Sequence, residues 1–467
     1  MLTHKRLLSV AALIGTALSW SSAHAQGWLA DRKTTEGIGY RVGDFELHPG
    51  LGGEVGYDSN WFLRSPKDGS VNSISNFPGS PGAGIFRITP SLYLSTLQQQ
   101  RKEGDVNAEP PKVNFRAGIA LTYRAFIGAD DVIKQNGLNG LSGDLTARVD
   151  ILPQRPFSVG LDGLYSRTVA PNANGNPDVS FNRNLVGAGI DATVTPGSGT
   201  LSWKLGYQLR AGFLDNSTNA PFNTLNNAFT TRGDWRFRPK TSLFYDANTT
   251  FATFTQKGQA ASDLQNSTPF RTKLGITGLV TPRFSFLAAA GWGASFVDVP
   301  SNHNIQQFDS VIGQVEAKFF LTANPMADNP NAVGLSISSL SLGFNRDFAP
   351  SFLTTFYESD RGYAKLAYFF AGRALVSLEG GVAAIRYPDV YYTTGATVVQ
   401  RFTDVRADAT LFGEYRFTNT LGLNTTLRYT GEFSGQKLPV QGVASGPNTY
   451  DMNYNRFEAY LGVRWFM

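Results

Sequence analysis

Along most of this chain apolar and polar residues alternate one by one, and that period of two predicts strands. From Phe45 to Tyr57, Phe45, Leu47, Pro49, Leu51, Val55 and Tyr57 fall on one face, and Glu46, His48, Glu54 and Asp58 on the other. Strand side chains point alternately to opposite sides, so this segment has one apolar and one polar face. The pattern returns at Phe86–Leu94, Val113–Tyr123, Leu145–Ile151, Leu201–Phe213, Trp235–Phe237, Phe270–Val280 and Val405–Phe417. In each run Arg, Lys, Asp and Glu keep to the polar face. On a lipid-facing surface a midplane Arg or Lys costs roughly 2–4 kcal/mol, so this segregation is expected of a membrane barrel.

The connections alternate as well. Short turns are predicted at Leu152–Pro156, Thr195–Gly199, Arg238–Thr241, Thr281–Arg283, Ala371–Arg373 and Thr418–Asn419. Longer polar loops lie between them, among them Asp58–Gly82, Ala170–Ser180, Asp215–Asn226 and Ser434–Tyr450. Short periplasmic turns opposite long external loops are the outer-membrane arrangement. Gln98–Pro111 and Thr322–Val333 fall on the short side yet are long. They are either periplasmic contact points or tolerated insertions. The expected fold is all-β: a transmembrane antiparallel up-and-down β-barrel of about 18 strands, give or take two, since the pattern slips near Ser338–Ser339 and Ala364–Phe370. The last run, Phe457 to Met467, ends in phase on an apolar residue. Such final strands are read by the barrel assembly machinery, commonly at a terminal Phe; Met467 keeps the position and not the residue type.

Composition sharpens this picture. Mean hydropathy is −0.18, and past residue 18 no apolar run approaches the roughly 20 residues of a membrane helix. Yet the chain has 49 Gly, 34 Phe and 18 Tyr, the profile of a barrel in which every second residue meets lipid. His4, Lys5 and Arg6 precede an apolar stretch from Leu7 to Leu18 and a small-x-small site at Ala23–Ala25. Residues 1–25 are therefore expected to be a cleaved signal peptide, cut between Ala25 and Gln26. Residues 26–44 are expected to form a short periplasmic segment and 45–467 the barrel, which would leave no room for a plug domain. The chain has no Cys, so it carries no thiol into an oxidising compartment. Its formal net charge of +5 falls to +3 once Lys5 and Arg6 leave, too little to argue for nucleic acid.

Chemistry for catalysis is scarce. Beyond the signal only His48 and His303 remain. His48 is expected near the periplasmic end of the first strand, facing inward, and His303 lies in a loop without a flanking motif. No catalytic residue, cofactor or metal site is expected. The texture lies on the inward face. Its candidate lumen-lining residues are Arg87, Arg116, Arg124, Arg148, Arg210, Arg236, Arg271, Lys273, Arg406, Arg416, Asp144, Asp404, Asp408 and Glu414. Either these neutralise one another and solvate the interior, or they form a polar conduit with a slight anion preference. Tyr93, Phe412 and Tyr460 are inward aromatics that either stack on sugars or simply pack.

Phe45-Glu46-Leu47-His48-Pro49-Gly50-Leu51, followed by Gly56-Tyr57-Asp58-Ser59-Asn60, resembles the opening of a beta-barrel porin family, and Phe86–Leu94 resembles that family's second strand. The resemblance covers roughly the first hundred residues after the signal; beyond it there is only barrel pattern. It implies a role beside exopolysaccharide synthesis and export, or in an envelope-spanning gliding-motility complex. The expected function is a polar conduit for polysaccharide export, with a structural barrel of a motility or adhesion complex as the alternative. The expected surroundings are outer-membrane lipid, lipopolysaccharide, the assembly machinery and periplasmic export or motility proteins.

Overall fold

The computed structural model describes residues 39–467 apart from 62, 64, 66–81, 97–111, 129–132, 134–139, 154–155, 170–181, 198, 216–222, 256–264, 299–305, 322–337, 352–354, 371–372, 392–396 and 440–448. The signal peptide with its Ala25–Gln26 junction, His303 and the two long periplasmic connections lie outside the described residues. In chain order the strands are β1 (Tyr40–Val42), β2 (Phe45–Asp58), β3 (Ala83–Thr96), β4 (Val113–Ile127), β5 (Gly140–Ile151), β6 (Phe157–Thr168), β7 (Arg183–Val194), β8 (Leu201–Leu214), β9 (Thr224–Arg238), β10 (Thr241–Phe254), β11 (Phe270–Thr281), β12 (Phe284–Ala294), β13 (Asp309–Phe320), β14 (Ser339–Pro350), β15 (Phe356–Phe370), β16 (Ala374–Tyr387), β17 (Val390–Tyr391), β18 (Thr397–Val399), β19 (Phe402–Arg416), β20 (Leu421–Phe433), β21 (Lys437–Pro439), β22 (Thr449–Asp451) and β23 (Tyr454–Phe466).

Eighteen of these, β2 to β16 with β19, β20 and β23, pair antiparallel with their sequence neighbours, and β23 returns to pair with β2 from Gly50↔Phe466 to Asp58↔Glu458. The sheet is closed. Closure matters because backbone N–H and C=O groups in hydrocarbon must bond within the protein, and a closed barrel has no free edge. The short β1 lies on the same side of β2 below β23, pairing Tyr40↔Leu47 to Val42↔Phe45; the alternating pattern starting at Phe45 does not announce it. β17–β18 and β21–β22 are small hairpins in external loops. Pro239 and Lys240 alone join β9 to β10, and Pro282 and Arg283 join β11 to β12. Those tight ends mark the periplasmic rim.

The outer face is apolar and open. Leu51, Leu205, Leu274, Val311, Val382 and Leu461 are each half-exposed or more, which lipid rather than a protein layer explains. Aromatics ring both ends of this band: Tyr123, Tyr165, Phe213, Phe251 and Phe457 toward the external rim, and Phe157, Trp203, Trp235, Tyr415 and Trp465 toward the periplasmic one. Aromatic girdles of this kind sit at the two membrane interfaces. The protein is an outer-membrane β-barrel.

Near the external rim the outer face departs from the sequence reading: Arg167 shares the outward phase of Tyr165 and meets Asp215 at 2.6 Å, and a larger network lies on β14 to β16. Arg346 shares the outward phase with Leu342 and Phe344, yet it is charged. Its guanidinium bonds Glu358 at 3.1 Å and Asp360 at 3.2 Å, and Arg386 reaches Asp360 at 2.7 Å. These four sit at the external ends of β14, β15 and β16. The physical reason is depth: charge cost on a barrel exterior falls to about 0–1 kcal/mol near the interface. This network therefore marks where the apolar band stops.

Candidate functional site

The site is the barrel interior, and the even positions of β2 show how it is built. Glu54 faces in and holds Arg87 of β3 at 2.9 Å. The Arg87 guanidinium lies 3.7 Å from the ring centre of Tyr460. That ring occupies the space above Gly56, where any Cβ would collide with it, and Tyr363 does the same over Gly343. Inward glycines at the seam and on β14 thus accommodate neighbouring rings instead of enlarging the lumen.

Each charged residue expected to line the lumen lies on the strand face opposite the exposed apolar residues. Most are joined in ion pairs between strands. Arg116 and Arg148 meet Asp150 at 3.0 and 2.7 Å, and Arg148 also reaches Asp191 at 2.8 Å. Arg271 and Lys273 share Asp347 at 2.9 and 3.2 Å. Asp408 accepts from Arg361 at 2.7 Å. Glu414 takes both Arg416 and Arg464 at 2.8 Å, and Arg406 takes Glu432 at 3.2 Å. Asp144 is bonded by the Ser166 hydroxyl. Asp404 is wholly buried. Arg124 stands over Trp61, 5.0 Å from its ring. Arg210 donates to Gln208 at 2.9 Å. Arg236 is exposed to the interior.

The interior is uneven. Toward the closing seam, inward groups are buried: Asp58, Arg87, Asp404, Asn424, Glu432 and Glu458 are all below a tenth exposed. Across β4 to β9 they are solvated: Arg116, Thr146, Lys204, Arg210, Arg236 and Arg238 are exposed although they point inward. Water can therefore reach one wall along much of its height, while the other is a packed layer of ion pairs.

The external mouth carries two apolar clusters that alternation did not reveal. Trp61, from the first external loop, is 3% exposed and packs with Ile85, Ile133 and Tyr460, with Phe126 edge-on at 4.9 Å. Phe308, just before β13, with Ile312, Phe348 and Phe356 on β13 to β15, forms the second, with Phe308 stacked on Phe348 at 4.2 Å and the Arg271 guanidinium 4.2 Å over Phe348. Their signal in the sequence was an aromatic immediately beside a loop, which is ordinary in barrels. Of the three inward aromatics singled out, Phe412 and Tyr460 are buried in the wall, whereas Tyr93 is 42% exposed.

His48 faces inward near the periplasmic end, as expected. It is 3% exposed, with Nε2 3.0 Å from Glu46 and Nδ1 3.1 Å from the main-chain oxygen of Met467. Among the described residues no group of three His, Cys, Asp or Glu side chains is placed to hold a metal ion.

No family model matches this chain, so the beta-barrel porin resemblance stays a likeness over the opening strands. No curated protein matches it either. Solved structures with a similar fold include OccAB3 of Acinetobacter baumannii, at 10% identity over 91% of this chain and 100% of that one, TM-score 0.45. OpdQ of Pseudomonas aeruginosa aligns at 10% identity over 91% of this chain and 98% of that one, TM-score 0.43. A bacterial polysaccharide outer membrane secretin aligns at 10% identity over 91% and 99%, TM-score 0.33.

Proposed function

We propose that this barrel is a non-enzymatic polar conduit through the outer membrane and that its cargo is an exported polysaccharide. The observation that carries the conduit reading is the solvated wall across β4 to β9, where charged and hydroxyl side chains face inward and remain exposed. A wall of this kind offers hydrogen bonds in place of a solute's water, which passage of a polar solute requires. A strand count of eighteen is in the range where a barrel encloses space beyond its own side chains. The cargo class rests on the likeness of Phe45–Asn60 and Phe86–Leu94 to barrels that accompany exopolysaccharide systems. Exposed Tyr93 supplies an aromatic surface on which a sugar ring can stack.

The test has two parts. Purified barrel in planar bilayers should conduct, and more strongly after excision of residues 62–81. A deletion strain should lose surface polysaccharide and keep its other envelope traits. A second reading, a structural barrel of a motility or adhesion complex, draws on the apolar clusters at the external mouth. It wins if the excised barrel stays electrically silent and the deletion strain keeps its polysaccharide but loses gliding or adhesion.

A further inference from the structure

The inward cations are not spread evenly around the wall. β7, β8 and β9 carry Arg183, Lys204, Arg210, Arg232, Arg236 and Arg238 against two carboxylates, Asp191 and Asp234. Those two are already engaged. Asp191 is shared by Arg148 at 2.8 Å and Lys204 at 3.2 Å, and Asp234 by Arg232 at 3.1 Å. Among the described residues Arg183, Arg210, Arg236 and Arg238 have no carboxylate within ion-pair distance, and the last three are exposed to the interior. Elsewhere the interior is close to neutral, because nearly every Arg or Lys meets an acid on its own or a nearby strand. The inward acids without a cation, such as Asp144 and Glu316, are bonded by Ser166 and Tyr363 and lie on other strands.

The register makes these cations a column. Arg183 lies opposite Leu214 at the external end, Arg210 opposite Gly187 further down, and Lys204 opposite Arg232 below that. Arg236 and Arg238 finish the column at the periplasmic rim, about 7 Å apart along β9 as alternate strand residues are. A neutral polymer needs no such column. A guanidinium without an acid in a confined polar space is stabilised by an anion that brings its own charge, and its planar fork matches a carboxylate.

We propose that the inner wall of β7, β8 and β9 is a track for an acidic polysaccharide whose carboxylate groups are handed along Arg183, Arg210, Arg236 and Arg238. This rests on the conduit reading above and narrows its cargo to uronate-bearing sugar chains. Solvent exposure at Arg210, Arg236 and Arg238 keeps those contacts weak, which lets the chain leave one guanidinium for the next.

The test uses the full barrel with Arg210, Arg236 and Arg238 all changed to Gln, beside a version with all three changed to Lys. Calorimetry at low salt measures binding of a galacturonic-acid oligomer and of a neutral maltodextrin oligomer. Wild type should bind the uronate oligomer and not the neutral one. The Gln version should lose affinity on the order of ten-fold or more, and the Lys version should lose less. In bilayers under a salt gradient, the reversal potential should show anion preference in wild type and little in the Gln version. Among the described residues these three side chains bond no carboxylate, so both versions should keep wild-type heat-modifiability on gels. Equal binding of the two oligomers, or unchanged uronate binding by the Gln version, overturns the track. Arginine-dependent uronate binding by a barrel that never conducts overturns the conduit and leaves the track standing.

Discussion

His48 supplies Met467 with the hydrogen bond that Pro49 cannot. The Met467 amide donates to the Pro49 carbonyl at 3.1 Å, as the next rung below the Gly50↔Phe466 pair. In an antiparallel rung the return bond comes from the opposite amide, but residue 49 is proline and has no N–H. The Met467 oxygen is instead 3.1 Å from His48 Nδ1. That oxygen can only accept, so the ring nitrogen donates, and a side chain completes the seam at the last rung of the barrel.

His48→Ala should therefore destabilise the closed barrel by about 1–3 kcal/mol, the cost of leaving a buried acceptor without a donor. Pro49→Ala restores a backbone donor, so the same His48 change made in that background should cost clearly less. Denaturant titration of the folded, heat-modifiable band measures both. Equal cost in the two backgrounds would show that the bond to Met467 is not what His48 contributes.

Facing can be tested with adjacent residues. Leu205 is 57% exposed on the lipid side, and Lys204 beside it points inward. Leu205→Arg should cost roughly 2–4 kcal/mol and depress assembly, while Lys204→Leu should assemble close to wild type. Depth can be tested on β14: Leu342→Arg should be more damaging than Phe344→Arg, which lies nearer the external charged network. Folding yield into lipid vesicles reports all four, and equal yields within either pair contradict the assignment.

Asp58 and Arg456 hold the seam at the external end. Asp58 is fully buried and bonded by both Nε and Nη2 of Arg456. Removing one partner strands a buried charge, so Asp58→Leu or Arg456→Met alone should cost about 3–5 kcal/mol. The double change Asp58→Leu with Arg456→Met should recover much of that loss. If the double variant is as unstable as the sum of the two single ones, the pair is not coupled.

Trp61, just past the end of β2, packs inside the mouth between Phe126 and the guanidinium of Arg124. Trp61→Ala should loosen that packing, raise single-channel conductance and cost about 3–5 kcal/mol of stability. Conductance equal to wild type would mean that the path does not pass this cluster.

The alternation of apolar and charged residues determined the all-β class and the closed-barrel expectation, and it put the charged candidates on the face opposite the apolar one, because strand geometry fixes side-chain direction within two residues. Length and turn chemistry determined the strand count, since each tight Pro- or Gly-containing turn marks a reversal. Tertiary structure decided what alternation cannot carry. Pairing across strands decided which inward charges neutralise each other, so Arg148 lies within three carboxylates while Arg236, two residues from Asp234 on its own strand, has none among the described residues. Depth in the bilayer decided that Arg346 and Arg386 can face outward. Chain reversal beyond the strand ends decided that Trp61, a loop residue in sequence, is buried at the mouth. Each of these depends on what stands opposite a residue in space, and periodicity along one strand records only which way the residue points.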